Sequence, residues 1–98
     1  MFRVGPVPGQ LDGAVVLATA DLSGSEPTGG TVHLINDEVL VTPAALALAR
    51  YEGADGVYLF YCDPDWNVVT DTLHESATDA VTQAEFEFTN VRFVSRGD

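Results

Sequence analysis

From Gly13 onward, short apolar and β-branched runs alternate with clusters of turn-forming residues. AVVLATA, residues 14–20, is a buried-strand type of run. DLSGSEPTGG, residues 21–30, is a turn-forming loop by composition. Thr31–Ile35 and Glu38–Thr42 are two β-type runs separated by Asn36 and Asp37, residue types that tolerate the positive φ of a two-residue hairpin. Thr42 and Pro43 then read as an N-cap and first helical position. AALALARYE continues with strong helix formers up to Gly53, predicting a first helix of about ten residues. Its small, nearly uniform apolar surface predicts burial or contact with another chain.

In the second half, VYLFYC, residues 57–62, is a continuous apolar and aromatic run, as in a strand covered on both faces. Asp63, Pro64 and Asp65 supply type I turn chemistry, with Asn67 suited to a left-handed conformation, and VVTDTL, residues 68–73, returns as the partner strand. Pairing parity places Val57, Leu59 and Tyr61 on one face with Val68, Thr70 and Thr72. Ser76 followed by Asp79 resembles a capping box, and Ala77, Ala80, Val81, Ala84 and Phe88 fall at helical spacing behind it. A second helix over residues 77–88 follows, ended by Asn90. VRFVS, residues 91–95, alternates as a last strand.

These elements predict one α+β domain over residues 1–98, with residues 1–12 as an irregular arm broken by Gly5, Pro6, Pro8 and Gly9. Its expected architecture is a single-layer, antiparallel-rich sheet of about six strands with two helices packed on one face, as two hairpin–helix units in tandem. Such a sheet leaves one apolar face to be covered, by a second copy in a homodimer or by a partner, and on that ground association is expected.

Composition changes the picture chiefly through charge. Asp and Glu number 15 against four basic residues, all arginine, for a formal net charge of −11. Nucleic acid and anionic membranes are bound through Lys and Arg, so both are disfavoured as direct partners, whereas a basic protein surface is favoured. A halophile-like adaptation to salt, or plain solubility, accounts for the same acidity. No run reaches the 18 or so apolar residues of a membrane span, no signal peptide is visible, and the single cysteine, Cys62, calls for no oxidising compartment. A cytoplasmic location is expected.

Chemistry-bearing patterns are sparse. Asp63, Asp65, Asn67 and Asp71 occupy the first, third, fifth and ninth positions of a calcium-type loop, but Val68 stands where the turn needs glycine and His74 where the last carboxylate belongs. Cys62 and His74, with Asp71 nearby, are the residues an enzyme would use, yet they sit at opposite ends of the predicted hairpin. His33 reads as a surface residue of its strand. One Cys and two distant His give no zinc spacing, the glycines of residues 23–31 lack a phosphate loop's lysine, and Glu85 with Glu87 is one of many acid pairs. No cofactor is implied, and the enzyme reading is the weaker one.

The segment VYLFYCDPDWNVVTDTLHESATDAVTQAEFEF, residues 57–88, resembles a pattern of small uncharacterised prokaryotic α+β proteins. It joins an aromatic strand, an acidic Trp-Asn hairpin, a His-Glu-Ser helix start and a Gln-Ala-Glu-Phe helix. It is loosely similar to acidic immunity-type proteins, which implies no active site and a toxin as partner. The reading that results is a protein-binding or regulatory module presenting an acidic surface around Asp63, Asp65, Trp66 and Asp71. Trp66 serves either as an exposed interface anchor or as a cap folded back over the core. The alternatives are an enzyme or cation-binding protein using the 62–75 hairpin, and a nucleic-acid-mimicking inhibitor or toxin-immunity protein.

Overall fold

The computed structural model describes residues 7–23, 25–26, 34–35, 38–39 and 43–95. His33, half of the 21–30 loop and the Thr42 cap lie outside them. Among the described residues the elements run β1 (Gln10–Leu11), β2 (Ala14–Asp21), β3 (Leu34–Ile35), β4 (Glu38–Val39), β5 (Ala45–Arg50), β6 (Val57–Cys62), β7 (Val68–His74), α1 (Ala77–Glu87) and β8 (Val94–Ser95). The fold is α+β, as the patterning predicts, with one helix rather than two. An antiparallel sheet has the order β1-β2-β5-β6-β7, with β8 also pairing β2, and β3 and β4 form a separate two-stranded ribbon. Leu34 pairs with Val39 and Ile35 with Glu38, the register of a two-residue connection.

The largest departure is β5. The segment read as the first helix is a central strand between β2 and β6, so the expected hairpin–helix tandem does not form. Its residues ALALAR alternate strictly: Ala45, Ala47 and Ala49 face one side of the sheet and Leu46 and Leu48 the other, all buried. A helix of the same residues would be apolar all round, with no polar stripe to turn to solvent. As a strand flanked on both edges it buries both faces and satisfies its backbone in two ladders. Single-residue propensity loses to that burial.

The N-terminal arm also ends in structure. Gln10 and Leu11 pair with Val15 and Ala14 through a tight turn in which Asp12 (φ 49°) and Gly13 (φ 83°) are both left-handed, as a type I′ hairpin requires. In β2 a bulge between Val16 and Ala18 switches faces, so Ala14 and Val16 join the layer of the β5 alanines while Ala18 and Ala20 join that of the β5 leucines. A second bulge, between Tyr61 and Cys62, pairs Cys62 with Val68. Val68 therefore leaves the Tyr61 face expected for it and packs with Phe60 and Cys62, while Thr70, Thr72 and His74 oppose Tyr61, Leu59 and Val57.

The helix forms where its spacing places it, over residues 77–87. The Ser76 hydroxyl accepts from the Asp79 N–H at 3.1 Å, Asp79 adds charge where the helix dipole favours it, and left-handed Asn90 (φ 54°) turns the chain away. Ala80, Ala84 and Phe88 pack on the leucine face of the sheet with Leu46, Leu48, Leu59 and Tyr61. The opposite face is also buried within one copy of the chain: Ala45, Ala47, Ala49 and Cys62 are fully inaccessible, and Phe60 nearly so. Among the described residues there is therefore no uncovered apolar sheet face, the ground for expecting association. No helix among the described residues is long and apolar enough to cross a membrane.

Candidate functional site

The β6–β7 loop is organised by Asp63. Its Oδ1 accepts the backbone N–H groups of Asp65 and Asn67, each at 2.9 Å, and its Oδ2 accepts Asn67 Nδ2 at 2.9 Å. The Trp66 N–H donates to the Asp63 carbonyl at 3.0 Å, closing a turn with Pro64 at its second position. Hydrogen bonds from the Asn67 side chain, then from its backbone, hold the Asp63 carboxyl below its ordinary range, because they favour the ionised form. Asp63 is thus a turn-former whose oxygens are already engaged. Asp65 and Asp71 are exposed, Asp65 in the loop and Asp71 on β7 opposite Phe60. Asp63, Asp65, Asn67 and Asp71 do not converge as ligands, and among the described residues no group of three or more His, Cys, Asp or Glu is placed to hold a metal ion.

Trp66 has the second of its two anticipated arrangements. It is 7% exposed and packs on the alanine face with Leu11, Val16, Phe60 and Cys62, so it caps the core instead of projecting as an anchor. It also takes the left-handed conformation (φ 65°) that the sequence suggested for Asn67. A bulky residue is rarely found there, and packing of the indole over-determines the strained backbone.

Cys62 and His74 are not brought together. The thiol is buried at the loop end of β6, and burial first, then the Asp63 and Asp12 charges, push it up to about 12, which disfavours the thiolate. His74 lies at the far end of β7, opposite Val57, with Nε2 hydrogen-bonded to Thr72 Oγ1 at 2.7 Å.

One polar cluster escaped the sequence reading. Glu87, at the last turn of α1, is 3% exposed. Its carboxylate oxygens accept the Tyr61 hydroxyl at 2.8 and 2.9 Å, and Oε2 also accepts Gln83 Nε2. A carboxylate at the negative end of a helix and out of water is doubly unfavourable unless it is hydrogen-bonded, and these donors tie the helix end to β6. Burial, then the hydrogen bond to Glu87 and its charge, drive the Tyr61 hydroxyl strongly upward, keeping it a donor. The signal available was the i, i+4 pair Gln83–Glu87 on the face that carries Ala80 and Ala84; it was obscured because Glu85 and Glu87 look alike in so acidic a chain.

Electrostatically the surface is one-sided. Of the acids whose side chains are described, all but Asp63 and Glu87 are exposed, against Arg50 and Arg92. No family model, curated protein or solved structure matches this chain.

Proposed function

We propose that the chain is a non-catalytic binding module whose acidic surface docks a basic protein, with the hairpin that carries Asp63, Asp65, Trp66 and Asp71 as its contact region. The observation that carries this reading is the segregation of charge: among the described residues every acid but Asp63 and Glu87 is exposed, both faces of the sheet bury apolar side chains, and only Arg50 and Arg92 interrupt the field. Such a field steers a basic partner and repels polyanions. Within the contact region the residues divide the work. Asp65 and Asp71 offer charge to solvent, Asp63 fixes the turn, and Trp66 holds the loop to the core from beneath. A nuclease-type toxin neutralised by an immunity protein, its nucleic-acid-binding surface supplying the positive charge, is the special case this reading includes. A cytoplasmic setting accords with it.

The test is retention of host proteins on the immobilised chain at low and at high salt, beside an Asp65→Asn, Asp71→Asn double variant. A basic protein held at low salt, released at high salt and lost on the variant supports the reading. Equal retention by both chains sinks the assignment of the contact region, and recovery of the chain alone replaces partner binding with self-association.

A further inference from the structure

The outer edge of β7 is one of the two ends of the main sheet among the described residues. β7 ends the strand order, and its described pairing is to β6 alone. Edge strands are normally blunted by lysines, prolines or shortness. At Val68–His74 this one is seven residues long, has no proline or lysine, and carries a single acid, Asp71. Its exposed positions are Val69, Asp71 and Leu73, which alternate with half-buried Thr70, Thr72 and His74; Leu73 is 60% exposed, and exposed Glu75 follows just beyond the strand. At the end of this series Asp55, Gly56, Leu73, His74 and Glu75 line an open depression of about 320 Å³. Gly56 makes room for it: a side chain there would meet Leu73 Cδ1 at 2.8 Å.

We propose that this edge takes up an extended, basic segment of a protein partner by strand addition, with a basic, an apolar and a basic residue at alternate positions facing Asp71, Leu73 and Glu75. The inference rests on the acidic-module reading above and names the form of its partner. Main-chain hydrogen bonds to the edge supply sequence-independent affinity, and the alternating side chains supply selection. Opposite charges directly across a strand pair stabilise it and like charges destabilise it, so a row of acid, leucine and acid selects the complementary row. The depression accommodates the aliphatic stem of one lysine along Leu73 while its ammonium lies between Asp55 and Glu75. A second copy of the chain is the wrong occupant, because antiparallel pairing of two β7 strands would bring together two chains of net charge −11.

The experiment is fluorescence anisotropy at low ionic strength with a labelled seven-residue peptide that alternates threonine with lysine, valine and lysine. Alongside it run the same peptide methylated on alternate backbone nitrogens and a copy with glutamate for lysine. The parent peptide is expected to bind and the glutamate copy not to bind. Backbone methylation should weaken binding at least ~10-fold by removing main-chain donors. The Asp55→Asn, Glu75→Gln double variant should weaken it by roughly 2- to 5-fold per charge. Equal binding of parent and methylated peptides overturns strand addition while leaving the charge-steered reading intact. Absence of binding by every basic peptide also overturns it, and the retention experiment on folded proteins then decides the broader reading separately.

Discussion

Ala45–Arg50 and Ala77–Glu87 both carry three alanines, and they end in opposite structures. In α1 the buried alanines recur at i and i+4, Ala80 and Ala84, and the other positions are mostly acids, threonines and glutamine, with half-buried Val81 and exposed Ala77 and Phe86. One face is fit for the sheet and the other for water. In β5 they recur at every second position, Ala45, Ala47 and Ala49, and leucines fill the gaps. Alanine is the spacer in both places. Under α1 it lets the helix approach Leu46, Leu59 and Tyr61. On β5 it leaves volume for Phe60 and Trp66. The comparison teaches that period and polar complement, more than alanine's own helix preference, decide between the two outcomes.

The largest effect should come from removing what the β5 alanines make room for. Trp66→Ala is expected to cost about 3–5 kcal/mol in urea unfolding, the range for a large aromatic deleted from a core. Trp66→Gly, though smaller still, should recover about 1 kcal/mol relative to the alanine variant, since glycine adopts the left-handed conformation without penalty. A loss under about 1 kcal/mol for Trp66→Ala would remove Trp66 from the core and reopen its role as a surface anchor.

On the leucine face of β5 the comparable test is polar. Tyr61→Phe leaves the buried Glu87 short of a donor and should cost about 1–3 kcal/mol at neutral pH. It also separates two alkaline transitions. Tyr61 and Cys62 both have folded-state values above their unfolded ones, so the stability each contributes is complete below the unfolded value and is lost as pH rises toward the folded one. Melting temperature should therefore start to fall above about pH 9, as Cys62 ionises on unfolding, and more steeply above about pH 10, where Tyr61 joins it. The Tyr61→Phe variant should keep the first decline and lose the second steepening. A wild-type profile without a second break would show that Tyr61 ionises freely in the folded state.

Against this frame of packing, what could be read from residues alone divides along physical lines. The α1 helix was legible from its helical period, with Ser76 marking its start directly, and β2, β6 and β7 from β-branched and aromatic runs bounded by turn residues. β5 was not, since an all-apolar stretch satisfies both periods and only its neighbours on two edges choose between them. The β2 and β6–β7 bulges were invisible too. Each inserts one residue into a ladder, and nothing in the residues Val16–Ala18 or Tyr61–Cys62 announces it. At the candidate site the acids were legible as surface charge, whereas the inward turn of Trp66 depends on a left-handed backbone that the sequence suggested for Asn67. The burial of Glu87 depends on a tyrosine 26 positions earlier in the chain.

The smallest effect sharpens the contrast at its root. Thr82 is exposed on the solvent side of α1, where packing contributes little and intrinsic preference is felt. Thr82→Ala should stabilise the chain by about 0.5 kcal/mol, because threonine loses rotamer freedom against the preceding turn and alanine does not. Ala47→Thr, the reverse exchange in β5, introduces a residue that strands prefer, yet it should destabilise by about 1–3 kcal/mol, since added bulk and a hydroxyl enter a site with no accessible surface. Thermal melts of the two variants therefore move in opposite directions. If Ala47→Thr raised the melting temperature instead, strand preference would outweigh packing at this position, and alanine would not be acting in β5 as the spacer that admits Trp66.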